Sequence, residues 1–342
     1  MTSALFTGLA GTELSADERA FYRDAKPAGV ILFKRNVEDA GKVRALVDSV
    51  RDAVGNDMLV LIDQEGGRVQ RLKAPAASDL PPAAAYARLF QTDPDAAKAA
   101  AYSVARLVAA ELTGYGITCN CAPVLDVPVP GAHDIIGDRA FGTTPVQVVT
   151  LAREVAEGLM AGGVVPVIKH IPGHGRALCD SHLDLPRVDA SYEELSRSDF
   201  VPFRALADMP AAMTAHVVFA DIDADNPASI SEAVTQRIIR GDIGFDGLLM
   251  SDDLSMRALS GPMRRRAEAV FRAGSDVALH CNGDMGEMRA AAEGVPELSG
   301  KAKERFARAL QVTCKRRDFD AAGAMEMLAQ VKRVSAPPSE SV

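Results

Sequence analysis

Short apolar runs recur along the chain, and longer stretches of a different periodicity separate them. Eight of these runs predict strands, over residues 3–9, 29–33, 58–63, 117–123, 164–170, 211–216, 247–252 and 276–281. Each run is nearly unbroken rather than alternating between apolar and polar positions. This pattern is typical of strands that are buried on both faces, as in a parallel sheet covered by helices.

The stretches between the strands predict helices, because their apolar residues recur at spacings of three and four. The pattern is clearest over residues 38–54, 93–116 and 144–163. In the third of these, Thr144 and Pro145 have the order expected of an N-cap and a first helical residue. Residues 298–333 predict one or two further amphipathic helices, and the proline- and serine-rich end of the chain, 334–342, predicts a disordered tail.

Eight strands that alternate with helices predict a single α/β domain over residues 1–333, folded as a (β/α)8 TIM-type barrel. An open doubly wound sheet is the alternative. Polar residues follow almost every predicted strand, namely Asp63, Asp126, Lys169, His170, His216, Asp252 and Asn282. The C-terminal strand ends of a closed barrel meet at one mouth, whereas those of an open sheet spread along an edge. The barrel is therefore favoured, with the active site at these strand ends.

Composition excludes several classes of partner. The 342-residue chain carries a net charge of −8, which argues against binding to nucleic acid or to an anionic membrane. The N-terminal residues lack the pattern of a signal peptide, and no apolar stretch approaches the ~20 residues that span a bilayer. The five cysteines fit no disulfide or metal-binding spacing, so reduced thiols in a cytoplasmic protein are expected.

The stretch KHIPGHGRALCDSH, residues 169–182, holds three of the six histidines. Asp180 and His182 are two residues apart, so in an extended loop their side chains project to the same side. A carboxylate in that position fixes the imidazole tautomer and raises its basicity, which suits a general acid/base. The alternative is that these histidines only hold a loop, and for His174 the two interpretations are equally weighted.

A metal site is the competing interpretation of the same stretch. His170, His174, Asp180 and His182 could together ligate zinc in a metal-dependent hydrolase. The neighbouring ammonium group of Lys169 disfavours a bound cation, and the spacing lacks two histidines on one helix. The glycines of this stretch are not followed by the residues of a phosphate-binding loop, and no cofactor is implied.

Two adjacent aspartates, Asp252 and Asp253, stand at the end of the seventh predicted strand. Neighbouring strand residues point to opposite faces, so only one of the two is expected to face the barrel mouth. A carboxylate there suits a nucleophile, whereas an aspartate at a strand end also suits the N-cap of the next helix. Strand parity leaves open which aspartate has which role.

Charged residues in two other loops suit sugar binding. In LIDQEGGRVQRL, Asp63 ends an apolar strand and could grip sugar hydroxyls, while Arg68 or Arg71 could lie over the mouth. In IIGDRAFG, Arg139 could reach the same mouth or form a structural salt bridge with Asp138 or another acid.

Taken in chain order, DQEGGRVQRL, APVLDV, IGDRAFG, KHIPGHGRALCDSH, MTAH, PAS and SDDLSM resemble glycoside hydrolase family 3. Within that family they resemble the single-domain bacterial β-N-acetylglucosaminidases (β-N-acetylhexosaminidases) of peptidoglycan recycling, over about residues 5–285. The resemblance implies that Asp252 is the nucleophile and that His182, assisted by Asp180, is the acid/base. The positions it implies for substrate binding are Asp63, Arg71, Arg139, Lys169 and His170.

The implied activity is a retaining exo-glycosidase that hydrolyses terminal, non-reducing β-linked N-acetylglucosamine. The expected substrates are small glycans, in particular GlcNAc-1,6-anhydroMurNAc muropeptides, and a cytoplasmic monomer without membrane insertion is expected. Alternatives are another family 3 exo-glycosidase or a glycoside phosphorylase. Departures from the family pattern at Ile171, Leu178, Cys179 and His280 remove no catalytic group.

Overall fold

Eight parallel strands close into a barrel in the computed structural model, which describes residues 1–55, 57–179 and 184–335. The strands are β1 (Ser3–Thr7), β2 (Pro27–Leu32), β3 (Leu59–Ile62), β4 (Cys119–Asn120), β5 (Val165–Ile171), β6 (Ala211–Thr214), β7 (Leu248–Asp253) and β8 (Val277–His280). Neighbours in the barrel follow chain order, and β8 pairs with β1. The predicted (β/α)8 barrel is confirmed, and each predicted run overlaps one barrel strand.

Helices surround the barrel on its outside. They are α1 (Ala16–Ala25), α2 (Ala40–Val54), α3 (Ala83–Thr92), α4 (Pro94–Gly114), α5 (Pro145–Ala161), α6 (Tyr192–Arg197), α7 (Val201–Ala205), α8 (Met263–Ala273), α9 (Met285–Ala292), α10 (Gly300–Val312) and α11 (Ala321–Ser335). The three clearest predicted helices are α2, α4 and α5, whereas α1, α3, α6, α7 and α9 are too short for periodicity to predict them. Helix α11 reaches Ser335, two residues into the predicted tail, and residues 336–342 lie outside the described part of the chain.

Shorter elements complete the loops. Wide helical turns of π type cover Val234–Asp242, and single 3-10 turns cover Lys34–Asn36, Gly137–Arg139 and Ala228–Ile230. Gln64–Gly66 pairs with Val69–Gln70, and Arg187–Val188 pairs with Val218–Phe219. No helix among the described residues is both long and apolar enough to cross a bilayer.

Alternate residues of each strand contribute to two separate apolar layers. On β3, Leu61 packs in the barrel interior and Val60 packs against the helices. On β7, Met250 packs in the interior and Leu249 packs against the helices. Phe306 on α10 joins the interior layer, and the segment before α10 bonds to the start of β1, so this helix covers the N-terminal end of the barrel. This closure leaves the C-terminal ends of the strands as the open mouth.

Two strands lose their regular register at the mouth. The pairing of β5 with β6 shifts between Lys169 and Ile171, and the pairing of β7 with β8 shifts between Met250 and Asp253. Such irregularities change the direction of side chains and are common beside active sites. Residues 170 and 252 therefore do not follow the simple alternation that the strand patterns suggest.

A hairpin after β3 carries further charged side chains to the mouth. Its turn uses Gly66 and Gly67, whose φ angles are 115° and 56°. A Cβ atom at Gly66 would lie 2.3 Å from the carbonyl oxygen of Pro81, so a larger residue does not fit. The tight turn expected from the paired glycines is present, and the hairpin that it closes leads to Arg71 at the cavity.

Candidate active site

One cavity of about 350 Å³ lies at the C-terminal ends of the strands. All of the predicted site residues that the structure describes line it: Asp63, Arg71, Arg139, Lys169, His170 and Asp252. They come from loops or strand ends of β3, β4, β5 and β7, which the barrel brings together. Asp180 and His182 lie outside the described residues.

Five charged side chains form one ion-pair network on one side of the cavity, here called the charge cluster: Asp63, Glu65, Arg71, Arg139 and Lys169. Lys169 Nζ lies 2.9 Å from Asp63 and 2.7 Å from Glu65, so it joins the two carboxylates. Arg71 pairs with the other oxygen of Asp63 at 2.9 Å. Arg139 donates two hydrogen bonds of 2.8 Å to Glu65. Three cations thus surround two carboxylates, and each member limits the rotation of its neighbours.

The charges of this network are fixed by their mutual contacts. Burial alone would raise the pKa of Asp63, but Lys169 and Arg71 hold that pKa well below its usual range. Burial also opposes ionisation of Glu65, but Lys169 and Arg139 lower its pKa to about 2. Burial would lower the pKa of Lys169, yet the two carboxylates raise it above its ordinary value. The cluster therefore stays ionised at neutral pH and offers fixed donors and acceptors to sugar hydroxyls.

A buried carboxylate holds the loop that follows β5. Asp126 is fully buried, and its Oδ2 lies 2.7 Å from Nδ1 of His170. Its Oδ1 accepts from the backbone N–H groups of His170 at 3.2 Å and His174 at 2.7 Å. Burial alone would raise the pKa of Asp126, but His170 lowers it, and an ionised carboxylate can only accept a hydrogen bond, so Nδ1 of His170 is the donor. The Nε2 atom of His170 remains as its second hydrogen-bonding atom.

His174 also lines the cavity, whereas its sequence context favoured a functional and a purely structural role equally. Its side chain is buried, and the two imidazole rings of His170 and His174 meet edge to face at 5.5 Å. Burial, and then the neighbouring His170, lower the pKa of His174 to about 4. His174 is thus neutral at neutral pH.

Asp252 and Asp253 both line the cavity, contrary to the expectation that only one could. The register shift in β7 is the reason, because it breaks the alternation of side chains at this point. The Asp253 carboxylate accepts from the N–H groups of Ser255 at 2.9 Å and Cys281 at 3.0 Å, so it caps a tight turn. Neither aspartate caps the next helix, since Pro262 is the N-cap of α8.

Apolar and aromatic groups form the remaining walls. Phe33 lies under two guanidinium groups, with Arg35 at 4.9 Å and Arg71 at 5.1 Å from the ring centroid. Such contacts restrict Arg71 further. Cys281 lies beside Leu279 on the wall formed by β8, and burial raises the pKa of its thiol well above the ordinary value. Cys281 is therefore a neutral, apolar part of the wall.

Sequence reasoning missed Glu65 and gave Asp126 no role. The signal for Glu65 was present, because it stands two residues after Asp63 in DQEGGR and can share its side of the chain. Arg68 has a supporting role: it pairs with Asp134 and Asp138, each at 3.3 Å, and holds the loop that carries Arg139. Asp138 therefore pairs with Arg68 and not with its neighbour Arg139.

Within the described part of the chain no group of three or more histidine, cysteine or acidic side chains is arranged to hold a metal ion. Two of the four ligands of the alternative zinc site, Asp180 and His182, lie outside that part. The zinc alternative is therefore untested.

Residues 7–312 match the family model described as the glycosyl hydrolase family 3 N terminal domain. This chain belongs to glycoside hydrolase family 3. The family 3 resemblance inferred from the motifs is confirmed, and the chain is accordingly an enzyme that hydrolyses glycosidic bonds.

Relatives of this family 3 enzyme share most of its length. It is 42% identical over 282 residues to a beta-hexosaminidase of Alkalilimnicola ehrlichii, covering 81% of this chain and 80% of the relative. It is 43% identical over 278 residues to a beta-hexosaminidase of Methylococcus capsulatus, covering 80% and 81%. The solved structure of NagZ from Neisseria gonorrhoeae in complex with N-trifluoroacetyl-D-glucosamine is similar with a TM-score of 0.86 and 32% identity, and the match covers 98% of each chain.

Proposed function

We propose that this family 3 enzyme is a retaining exo-β-N-acetylglucosaminidase with Asp252 as nucleophile and His182, assisted by Asp180, as acid/base. The supporting observation is that Asp252 and the charge cluster line the same cavity. Strands β3 and β7 are four strands apart in either direction around the closed barrel, so Asp63 at the end of β3 lies across the mouth from Asp252. One sugar ring bound between them presents its hydroxyls to the cluster and its anomeric carbon to Asp252.

In the first step, a carboxylate oxygen of Asp252 attacks the anomeric carbon while the bond to the leaving oxygen breaks. Protonated His182 gives its proton to that oxygen. In the second step, neutral His182 takes a proton from water, whose oxygen attacks the anomeric carbon. The bond to Asp252 breaks, the carboxylate is restored, and the sugar leaves with its original anomeric configuration.

The charge cluster supports an exo mode of action. Its residues are bonded to one another and include the hairpin after β3, so they form a rigid wall of the cavity. A chain that continues beyond the bound sugar would have to separate these ion pairs. Separating buried ion pairs is costly, which favours binding of a terminal sugar.

For the natural substrate we propose β-linked N-acetylglucosamine at the non-reducing end of muropeptide fragments, cleaved in the cytoplasm during cell-wall recycling. The proposal rests on the family resemblance and on relatives named beta-hexosaminidase. The Neisseria gonorrhoeae relative bound to an N-acyl glucosamine analogue supports the sugar specificity.

The first experiment compares nitrophenyl N-acetylglucosaminide with nitrophenyl glucoside and follows the first-formed anomer by NMR. We expect rapid release from the N-acetyl substrate and a β-configured product. Preference for the glucoside, or an α-configured product, would contradict the substrate or the retaining mechanism. Formation of a sugar phosphate when inorganic phosphate is added would identify a phosphorylase, and loss of activity with a chelator, restored by zinc, would support the metal alternative.

A second experiment tests His182. The variant H182A should retain more activity on nitrophenyl substrates than on GlcNAc-1,6-anhydroMurNAc, because a good leaving group needs no proton. The exposed substitution D95N on α4 is the control and should change neither rate. An equal loss on both substrates would exclude His182 as the acid.

A further inference from the structure

Asp253 is held at both its main chain and its side chain. Its carbonyl oxygen accepts from Nε2 of His216 at 3.0 Å, and its carboxylate accepts from the N–H groups of Ser255 and Cys281. Two neighbouring segments, the end of β8 and the loop after β6, thereby fix one residue at the end of β7. These hydrogen bonds restrict rotation of the peptide groups on either side of Asp253.

The N–H group of this fixed residue points at the neighbouring carboxylate. It donates to Oδ1 of Asp252 at 2.8 Å. The direction of the Asp252 carboxylate therefore depends on the orientation of the peptide group that precedes Asp253. Any rotation of Asp253 would turn or release the oxygen that this bond holds.

His216 can perform this task in only one neutral tautomer. A carbonyl oxygen only accepts hydrogen bonds, so Nε2 of His216 must carry the proton that reaches Asp253. Nδ1 of the neutral ring then accepts from Oγ of Ser229, which lies 2.7 Å away. Both side chains are fully buried, so water does not compete for these bonds. The carbonyl of Asp253 thus sets the tautomer, and the hydroxyl of Ser229 adapts to it and holds the ring in place.

We propose that His216 and Ser229 form a positioning unit for Asp252, acting through the backbone of Asp253. Neither residue lines the cavity, so the unit acts on the carboxylate and not on the substrate. The MTAH and PAS segments, to which the mechanism gives no role, supply the two members. The proposal rests on the proposed nucleophilic role of Asp252.

Two substitutions separate the bonds of His216. In H216Q the terminal amide nitrogen stands near the position of Nε2 and can still donate to the Asp253 carbonyl. In H216N the shorter amide stands near Nδ1, so it keeps the contact with Ser229 and loses the contact with Asp253. We expect H216Q to remain within about threefold of the native kcat and H216N to lose about 10- to 100-fold, which corresponds to about 1.4–2.8 kcal/mol. KM should change less than threefold in both.

The readout that isolates the nucleophile is the rate of covalent trapping by a 5-fluoro-N-acetylglucosaminyl fluoride, measured by intact-protein mass. Fluoride leaves without a proton, so this rate does not depend on the acid/base. Trapping should slow in H216N and not in H216Q. S229A should lower the trapping rate by about threefold to tenfold, since the ring then lacks the hydrogen bond at Nδ1 that holds Nε2 against the Asp253 carbonyl.

His280 provides the matched control, because it is also fully buried at a strand end and contacts Glu287 at 3.2 Å, outside the cavity. H280Q and H280N should have equal kcat values, whatever their thermal stability. Equal kcat values for H216Q and H216N would overturn the positioning role, and a native trapping rate in S229A would remove Ser229 from the unit. An active D252N enzyme would instead contradict the proposed function itself, so the two failures are distinct.

Discussion

Two sides of the same cavity are held in different ways. The charge cluster is fixed by ions of opposite sign, with Lys169 between Asp63 and Glu65. On the opposite side, Asp253 is fixed by neutral donors: the imidazole of His216, backbone N–H groups and a serine hydroxyl. A backbone N–H likewise orients Asp252.

The difference corresponds to what each side is proposed to do. A carboxylate in a salt bridge is strongly stabilised as an anion, which suits a group that only accepts hydroxyl hydrogen bonds. A carboxylate that must form a bond to carbon has to give up its charge in the reaction. Neutral donors fix its direction at a smaller cost to its reactivity, and the N–H group of Asp253 is one such donor to Asp252.

The largest expected effect is on the nucleophile side. D252N should lower kcat by about 10³-fold or more, because an amide cannot form the glycosyl-enzyme bond. Binding of N-acetylglucosamine, measured by calorimetry, should weaken less than about tenfold, since the charge cluster is unchanged. If D252N instead kept its kcat and lost sugar binding, the roles assigned to the two sides would be reversed.

Removal of Lys169 should cause the next largest effect. K169M leaves Asp63 and Glu65 buried without the cation between them, and breaking such a pair costs about 3–5 kcal/mol. We expect this loss in the free energy of urea unfolding at pH 7, together with a raised KM. The exposed K303M on α10 is the control, and a K169M protein as stable as K303M would show that the network contributes little to folding.

A smaller effect should follow from D126N, which weakens the contact that orients His170. A hydrogen bond to a charged group contributes about 1.5–3 kcal/mol, so kcat/KM should fall by roughly tenfold to a hundredfold. The change should reside mainly in KM, because His170 is proposed to bind substrate. Steady-state kinetics on nitrophenyl N-acetylglucosaminide distinguish this result from a loss confined to kcat, which would assign His170 to catalysis.

The smallest expected effect concerns His174 and pH. Its pKa is about 4 in the folded protein, below its ordinary value near 6.5, so the unfolded chain binds a proton first as pH falls. The stabilisation from the neutral ring is present above about pH 6.5 and is lost as pH falls towards 4. Between pH 7 and 5 the native protein should lose about 1–2 kcal/mol more unfolding free energy than H174N. Parallel stability curves would show that His174 titrates normally.

The sequence predicted the barrel because unbroken apolar runs indicate strands that are buried on both faces, and segments of helical periodicity separate these runs. Both patterns depend on the residue types within a short stretch of chain. It also brought Asp63, Lys169 and Asp252 to one mouth, since the C-terminal ends of parallel barrel strands converge. Strand parity failed at Asp252 and Asp253 because it assumes a regular strand, and β7 is irregular between Met250 and Asp253.

By itself, then, the sequence determined the fold, the family and the side of the barrel where the charged residues gather. Only the tertiary structure decided the partners: Glu65 rather than Asp138 for Arg139, and Asp253 together with Ser229 for His216. These contacts join residues from different strands across loops and register shifts. Their distances depend on how the strands are offset in three dimensions, which neither periodicity nor motif spacing encodes.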